Sequence, residues 1–281
     1  MLKFTKMHGI GNDYIYINAI EQKIEDPNAL AIKLSDRRFS IGGDGVILIC
    51  PSDIADAKMR MFNADGSEGM MCGIGVRCVG KYVYDNLLED KSRDTITIET
   101  LSGIKTLKIT AVNDKAELLE VDMGKAILNA ADIPVVYDGC DTVIAKPLVV
   151  DNKEHIVTCV SMGNPHCVTF VDDVDSLELE KIGPSFENHE AFPQRINTEF
   201  VKVIDEKTLK MRVWERGSGE TWACGTGACA TVVAACENGY CKKGEDITVH
   251  LRGGDLVINY TDERVMMTGP ATKVFDGEIE V

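Results

Sequence analysis

Residues 72–88 read CGIGVRCVGKYVYDNLL and residues 224–239 read CGTGACATVVAACENG, so a Cys-Gly-x-Gly phrase opens two separate segments of one chain. In the first segment, apolar residues recur at steps of three or four from Val76 to Leu87, which predicts a helix with one buried face. The second segment is rich in Ala and Val on every side and closes at Gly239. That composition predicts a helix that is buried all round, with the glycine just past its end.

Turn-forming residues precede both segments, NADGSEG before Cys72 and ERGSGET before Cys224. Each cysteine is therefore predicted to lie at a helix N-terminus. Unpaired N–H groups and the positive end of the helix dipole stabilise an anion there, so a thiol loses its proton more easily and a substrate carboxylate can dock on the same amides.

The rest of the chain repeats the same order of elements in two halves. In each half a strand leads through a glycine-rich turn to the cysteine and its helix, and a hairpin follows. The hairpins are predicted at residues 94–112, with Ser-Gly as the turn, and at residues 245–269, with Gly-Gly as the turn. The sequence thus predicts an α+β fold made of two similar lobes, each with sheet wrapped around a helix.

Composition limits the classes of function. At 281 residues, 44% of them hydrophobic, the chain can bury a full core in one large or two modest domains. A formal charge of −15 disfavours nucleic acid and anionic membranes as partners. We find no secretory h-region and no apolar run of membrane-spanning length, so we expect a cytoplasmic protein.

Ten cysteines could also indicate disulfides or zinc. A disulfide framework is not expected in a long cytosolic chain that has its own core. A zinc site is not expected either, because no two cysteines have C-x-x-C spacing and the histidines do not cluster near them. Apart from the two helix openings, we expect the cysteines with apolar neighbours to act as small buried hydrophobic residues; these are Cys50, Cys140, Cys159, Cys167, Cys236 and Cys241.

Two lobes that each present an activated thiol can face one another across a cleft. Such a pair suits removal of a proton from one face of a carbon and return of a proton to the other face, as a cofactor-independent racemase or epimerase requires. A single nucleophilic cysteine with a histidine would explain only one copy. A thiol redox or metal-binding protein that turns over no amino acid remains an alternative.

Four blocks resemble the diaminopimelate epimerase family: GIGNDY at 9–14, FNADGSEGMMCGIGVRC at 62–78, SMGNPH at 161–166 and ERGSGETWACGTGACA at 215–230. The resemblance implies interconversion of LL- and meso-2,6-diaminopimelate without pyridoxal phosphate, another cofactor or a metal, in lysine and peptidoglycan synthesis. It also implies a homodimer whose lobes are each a β-barrel around a central helix. On this basis residues 1–125 with the returning strand 268–281 form the N-terminal lobe, and 126–267 form the C-terminal lobe.

The resemblance also implies roles for individual residues. Cys72 and Cys224 match the acid/base pair, and His166 and Glu215 match residues that assist it. Residues that match substrate-binding positions are Asn12, Asn63, Gly73, Ile74, Asn164, Asn197, Glu215, Arg216, Gly225 and Thr226. Considered without the resemblance, the asparagines are more typical of turns and caps than of a binding site, His166 is more typical of a structural histidine, and Glu215 with Arg216 fits a solvated ion pair slightly better.

The sequence departs from the family pattern at two positions. Ile74 stands where CGNG is usual; if only its backbone N–H is used, the change alters a pocket wall and leaves the mechanism intact. Gly45 stands where some members carry a substrate-contacting glutamine, so it is left out of the predicted site. Because of Ile74, a racemase of another amino acid on the same fold remains an alternative.

Overall fold

The computed structural model describes all 281 residues. The chain divides into two compact units, one formed by Met1–Asp122 with Thr268–Val281 and the other by Met123–Met267. Strands predominate in both units and helices are few, so the predicted α+β class is confirmed. No helix has the length and apolar character that a membrane span requires.

The first unit opens with a hairpin and continues through two helices. Its elements are β1 (Leu2–Gly9), β2 (Asn12–Asn18), α1 (Pro27–Ser35), β3 (Gly45–Cys50), β4 (Ala57–Asn63), β5 (Glu68–Gly69), α2 (Gly73–Tyr82), a π-helical turn that prolongs α2 (Val83–Leu87), β6 (Thr95–Thr100), β7 (Gly103–Val112) and β8 (Lys115–Asp122).

The second unit has the corresponding elements. They are β9 (Lys146–Val150), β10 (Lys153–Ser161), β11 (Pro165–Phe170), α3 (Leu179–Glu187), β12 (Asn197–Asp205), β13 (Thr208–Glu215), β14 (Gly219–Thr221), α4 (Gly225–Glu237), β15 (Asp246–Leu251) and β16 (Gly254–Tyr260). The chain passes from the second unit to the first along β17 (Val265–Pro270) and ends in β18 (Thr272–Ile279).

The strands of the two units pair in the same order. In the first unit β1–β2 is antiparallel, β2–β3 parallel, β3–β4 antiparallel and β4–β6 parallel. In the second unit β10–β11, β11–β12, β12–β13 and β13–β15 repeat that sequence of directions. A helix, α1 or α3, makes the crossover that the first parallel pair of each unit needs. The internal repeat predicted from the sequence is therefore confirmed at the level of topology.

The final strand completes this correspondence. Antiparallel β18 pairs with β1 at the position where β9 pairs with β10 in the second unit. The C-terminal segment thus supplies to the first unit the edge strand that the second unit takes from its own start.

Helices α2 and α4 each pack inside the strands of their own unit. In α2 the residues from Gly73 to Gly80 are all buried, and α4 is buried from Gly227 to Ala235. Helix α4 contacts β10, β11, β12, β13, β15 and β16, which surround it. Gly239, with φ of 78°, follows the end of α4 in the left-handed conformation that suits glycine. Both helices occur where the sequence predicts them, but the prediction of a single buried face for α2 is wrong, since every residue from Gly73 to Gly80 is buried.

The two predicted hairpin turns are each displaced by one residue. Thr100 pairs with Gly103 and Leu251 with Gly254, so the turns are Leu101–Ser102 and Arg252–Gly253. Gly103 has φ of 92° and Gly254 φ of 143°, both in the region open mainly to glycine. Gly103 and Gly254 therefore open the returning strands, and the prediction that these two glycines lie within the turns is wrong, whereas Gly253 does lie within its turn.

The expectation of six buried structural cysteines is correct for half of them. Cys159, Cys167 and Cys241 are buried, whereas the other three, Cys50, Cys140 and Cys236, are only partly buried. Cys50 and Cys236 lie at the last residue of β3 and in the final turn of α4, where the elements reach the surface. The apolar residues that flank these cysteines in the sequence did not reveal that they lie near the surface.

Gly45 provides a test of packing in the first unit. A Cβ at this position would overlap the carbonyl oxygen of Phe62 on the paired strand, which is backbone and cannot move aside. We expect Gly45→Ala to lower the free energy of unfolding by about 2 kcal/mol or more. In the matched control, Gly69→Ala, the added Cβ meets only the terminal methyl of Met61, so we expect a loss below about 1 kcal/mol. Urea denaturation of both variants measures the difference, and equal losses would show that the Phe62 carbonyl is not the obstacle.

Candidate active site

Each sulfur of the predicted pair caps a buried helix. Cys72 has an extended backbone before α2 and its Sγ accepts a hydrogen bond from the Gly75 N–H at 3.3 Å. Cys224 has the same conformation before α4, and its Sγ accepts from the Gly227 N–H at 3.4 Å. The predicted placement of both thiols at helix N-termini is confirmed. A sulfur that accepts an N–H at the positive end of a helix is in a position that stabilises thiolate.

In the first unit a carboxylate fixes the group that faces Cys72. Asp44 Oδ2 accepts from Asn12 Nδ2 at 2.8 Å, and the Asn12 Oδ1 then lies 3.4 Å from Cys72 Sγ. Because a carboxylate only accepts, the amide of Asn12 has to present its oxygen to the sulfur. That oxygen can bond the S–H proton and disfavours a thiolate, so it opposes the effect of the helix N-terminus.

The other predicted residues of the first unit lie at the start of α2 or in the turn that leads to it. Gly73 and Ile74 are the first two residues of α2, where amides lack intrahelical partners. The Ile74 side chain is 1% exposed and packs beneath Gly9, so its backbone is the part that can serve a ligand. Asn63, the last residue of β4, donates to Ser67 Oγ at 2.9 Å, within the turn that leads toward Cys72.

In the second unit a chain of hydrogen bonds leads to Cys224. Its Sγ lies 3.5 Å from Thr226 Oγ1, which accepts from Asn164 Nδ2 at 3.3 Å. The Asn164 Oδ1 is 3.0 Å from His166 Nε2, and His166 Nδ1 is 2.7 Å from Glu199 Oε1. The structure thus brings together four of the predicted residues, and it adds Glu199.

Burial and two nearby carboxylates raise the pKa of Cys224. Burial raises the pKa of this thiol well above its usual range, and the charges of Glu215 and Glu199 raise it further. Burial also raises the pKa of Glu215, against the lowering effect of hydrogen bonds with Thr221 and Cys224 and of the charge of His166. A buried carboxyl with a raised pKa beside a thiol is suited to take the thiol proton.

Asn197 and Arg216 form a separate pair in the same unit. Asn197, the first residue of β12 and 3% exposed, accepts the Arg216 N–H at 2.9 Å through its Oδ1. The Arg216 guanidinium donates to the Gln194 carbonyl at 2.9 Å. These contacts hold the backbone beside Glu215 and leave most guanidinium donors for another acceptor.

The strand register shows which residues of the two units correspond. Gly45 lies beside Tyr14 on the parallel strand and opposite Asn63 on the antiparallel strand. In the second unit Asn197 lies beside His166 in the same way, and Glu215 ends the strand that pairs with β12. The two units therefore share one strand arrangement. It places uncharged groups around Cys72, whereas it places two ionisable groups, His166 and Glu215, around Cys224.

Three residues of this arrangement were not predicted from the sequence: Asp44, Glu199 and Thr221. Glu199 had no clear signal, since Asn197 and Thr198 before it are polar and only Phe200 and Val201 after it are apolar; its burial is known from the structure alone. Asp44 acts through its hydrogen bond with Asn12, and Thr221 through its hydrogen bond with Glu215. Sequence motifs do not indicate such indirect contacts. No group of three or more His, Cys, Asp and Glu side chains is arranged to hold a metal ion.

Comparison with known proteins agrees with this geometry. The sequence model of the family described as diaminopimelate epimerase matches residues 4–129 and 158–274. The chain belongs to the diaminopimelate epimerase family. The diaminopimelate epimerase of Methanococcus maripaludis strain C6 is 57% identical, with both chains fully covered. That of Bacillus cytotoxicus is 51% identical over 99% of this chain and 96% of the relative.

Solved structures share the fold of this diaminopimelate epimerase family member. A hydroxyproline epimerase from Agrobacterium vitis matches with a TM-score of 0.73 and 12% identity, covering 98% of this chain and 91% of its own. A PhzF-family phenazine biosynthesis protein of Bacillus anthracis matches with a TM-score of 0.70 and 18% identity over 100% and 99% of the two chains. These structures show the fold, whereas the family model and the curated relatives confirm the family resemblance seen in the sequence. The roles of single residues stay predictions.

Removal of Asp44 tests what orients Asn12. In Asp44→Ala the Asn12 amide can turn its NH₂ toward Cys72 and stabilise thiolate, so we expect iodoacetamide to alkylate Cys72 about tenfold faster at pH 7. Peptide mass spectrometry gives the rate. Asp13→Ala is the matched control, because Asp13 carries the same charge and binds the same Arg37 but does not contact the Asn12 amide. Equal acceleration in both variants would show that charge alone is responsible.

Replacement of Glu215 tests the raised pKa of Cys224. The thiol stays protonated until the pH rises to its elevated pKa, and removing the neighbouring negative charge lowers that pKa. We therefore expect Glu215→Gln to shift the pH midpoint of Cys224 alkylation downward by about one unit. Glu206→Gln, at an exposed ion pair with Lys242, serves as the control and should leave the midpoint in place. An upward shift in Glu215→Gln would show that the Glu215 charge does not raise the thiol pKa.

Proposed function

We propose that this protein interconverts LL- and meso-2,6-diaminopimelate without a cofactor, with Cys72 and Cys224 as the two bases. The observation that carries the proposal is the repeated helix cap: each unit places one thiol at the N-terminus of its buried helix. Relatives that are more than half identical over the whole chain and are named diaminopimelate epimerase support the substrate.

In the proposed reaction one sulfur, as thiolate, takes the α-proton, and the other, as thiol, returns a proton to the opposite face. The carbanion between these steps needs its charge stabilised on the α-carboxylate. The first-turn amides of Gly73, Ile74, Gly225 and Thr226 are suited to that task, because they lie at the positive ends of α2 and α4.

The ionisable groups of the second unit set the protonation of Cys224 in this proposal. Glu215 takes the thiol proton to generate thiolate, and His166 supports it through Asn164 and Thr226. When Cys224 acts as the acid, the same carboxyl returns a proton to it. Cys72 needs no such base, since the Gly75 amide favours thiolate and Asn12 favours thiol.

The substrate has a second amino-acid head group, which requires its own polar partners. We assign Asn12 to the reacting end and Asn63, Asn164, Asn197 and Arg216 to the distal end. Arg216 can bind a carboxylate through two donors, and Glu215 suits an ammonium group. A racemase of a simple amino acid would not need the distal set, and the buried Ile74 side chain gives no reason for a different substrate.

The biological setting belongs to the same proposal. An enzyme of this activity supplies a precursor of lysine and peptidoglycan, and we propose that it works in the cytoplasm as a homodimer. The small amino-acid substrate and the net charge of −15 both fit an enzyme that engages neither nucleic acid nor membrane.

Solvent exchange tests the proposal directly. The purified, reduced protein in deuterated buffer should incorporate deuterium at the α-carbon of LL-diaminopimelate and produce the meso isomer, followed by mass spectrometry and chiral chromatography. A panel of other amino acids should show no exchange. Exchange with another amino acid and none with diaminopimelate would identify a sister racemase, and a reversible thiol couple without any exchange would identify a redox protein.

Substitution of each thiol tests the assignment of the bases. Serine keeps an N-cap acceptor but is a far weaker acid, so Cys72→Ser and Cys224→Ser should each lose at least about 100-fold in epimerisation rate while the fold remains. Cys236→Ser is the matched control, because this partly buried thiol lies in the last turn of α4 and caps no helix start. Full activity in either of the first two variants would remove that cysteine from the mechanism.

A further inference from the structure

One buried carboxylate outside the predicted site holds the turn that carries Arg216. Glu187 is the last residue of α3, and its side chain is buried. Its Oε2 accepts from Trp214 Nε1 at 2.8 Å. Its Oε1 accepts from an Arg195 guanidinium N–H at 3.0 Å and from the Gly217 backbone N–H at 2.9 Å. Burial of this carboxylate is tolerated because both of its oxygens are hydrogen-bonded.

Packing fixes the place of this carboxylate. Gly183 lies one turn before Glu187, on the same face of α3. A Cβ on Gly183 would overlap the ring of Trp214, so the helix is in direct contact with β13, the strand that ends at Glu215. The two oxygens thus have different partners: Oε2 bonds a side chain of this packed strand, whereas Oε1 bonds the two loops described next.

The first of these loops contains Arg216. The Arg216 N–H donates to Asn197 Oδ1 at 2.9 Å, and the next N–H along the chain, that of Gly217, donates to Glu187 Oε1. Gly217 has φ of 79°, in the left-handed region that suits glycine. The peptide groups on both sides of the Arg216 Cα are therefore bonded to buried side chains. Together they set the direction in which the Arg216 side chain leaves the backbone.

The second loop orients the guanidinium of Arg216. This group donates to the Gln194 carbonyl at 2.9 Å, and that carbonyl belongs to the peptide bond with Arg195. Arg195 has φ of 59°, a left-handed conformation that is unfavourable for an arginine and persists only where surrounding contacts hold it. The bond to Glu187 Oε1 is one of those contacts. One carboxylate oxygen therefore supports Arg216 at its backbone and at its guanidinium.

The internal repeat keeps a contact of this kind in the first unit. There Asn28 Nδ2, on α1, donates at 2.8 Å to the Gly66 carbonyl in the turn between β4 and β5. That turn follows Asn63, which ends β4 as Glu215 ends β13. In both units the crossover helix thus holds the turn beside a predicted substrate residue, through an amide in the first unit and a carboxylate in the second.

We propose that Glu187 is a positioning residue for Arg216 and thereby for recognition of the distal carboxylate of the substrate. A guanidinium that is already held in one direction can bind a carboxylate through two donors at little further cost in side-chain entropy. Without the bonds at Glu187 Oε1, the substrate itself has to order Arg216, and binding is weaker. This inference rests on the proposed assignment of Arg216 to the distal end.

Kinetics in the deuterium-exchange assay test this role. Methionine has a similar length to glutamate but no strong acceptor, so Glu187→Met removes both bonds at Oε1. We expect KM for diaminopimelate to rise at least about tenfold and kcat to stay within about threefold, because the distal head group is bound alike in substrate and transition state. Arg195→Gly guards against a folding failure, since the Arg195 side chain is about half exposed and glycine accepts its φ. It removes one Oε1 bond and should raise KM about fivefold.

Two further variants separate positioning from core packing. Trp214→Phe is the matched control, because it removes the donor at Oε2 and leaves the bonds at Oε1. Glu187→Gln is the conservative variant: its amide oxygen is favoured on the Oε1 side, where it meets two donors, and its NH₂ then faces Trp214. Both variants should melt at a lower temperature than the wild type and yet keep KM within about threefold.

Amide exchange tests the positioning without substrate. The chain contains two Arg-Gly dipeptides, 216–217 and 252–253, so carbonyl-¹³C arginine combined with ¹⁵N glycine isolates the NMR signals of Gly217 and Gly253. The Gly253 N–H donates to the Trp222 carbonyl at 3.0 Å and serves as the internal reference. In Glu187→Met we expect Gly217 to exchange with solvent at least about tenfold faster while Gly253 stays unchanged. In Glu187→Gln and Trp214→Phe both glycines should keep their wild-type rates.

Three results would overturn the proposal: Glu187→Met with the KM of the wild type, Glu187→Met with the Gly217 exchange rate of the wild type, or Trp214→Phe with the same rise in KM as Glu187→Met. Failure of the proposed function is distinguishable. A wild-type protein that exchanges no diaminopimelate would refute that function, whereas the Gly217 exchange rate would still measure how Glu187 holds the Arg216 turn.

Discussion

The structure depends on one interaction made twice: a cysteine sulfur accepts a hydrogen bond from the amide of the third residue of a buried helix, which has no intrahelical partner. Gly75 and Gly227, the residues that donate these amides, have little room for a side chain, because an added Cβ would come within 3 Å of Ile47 or Glu199 beneath the helix. Enclosing the helix in strands keeps its N-terminus in a low-dielectric setting, where partial charges on amides act strongly on a thiol. The fold therefore serves to hold two thiols at helix ends.

The repeat preserves this interaction while the surrounding polar groups differ. Next to Cys72 lies Asn12, whose amide NH₂ is held by Asp44. The sulfur therefore faces a neutral amide oxygen whose orientation is fixed. Around Cys224 lie His166 and Glu215, and burial raises the pKa of the Glu215 carboxyl. In the proposed reaction the two thiols are thus controlled in different ways, one by an amide of fixed direction and the other by ionisable groups.

Much of the fold could be predicted because its signals are local. Turn residues before Cys72 and Cys224, the apolar spacing after them and Gly239 beyond the second helix each act within a few residues of the chain. The hairpin turns were displaced by one residue because glycine at Gly103 and Gly254 is compatible with either position, and only pairing with the opposite strand decides between them. Exposure of Cys50 and Cys236 was missed for the same reason, since burial depends on distant elements.

The sequence by itself determined the chemistry that is available: two thiols at helix starts, the repeat that contains them and the family to which the chain belongs. Only the tertiary structure decided which groups act on each thiol. Asp44 meets Asn12 across 32 positions and His166 meets Glu199 across 33, and neither pairing leaves a mark in a local pattern. The physical reason is that helix capping is a short-range interaction along the chain, whereas the orientation of the Asn12 amide is set by a carboxylate that the folded structure brings to it.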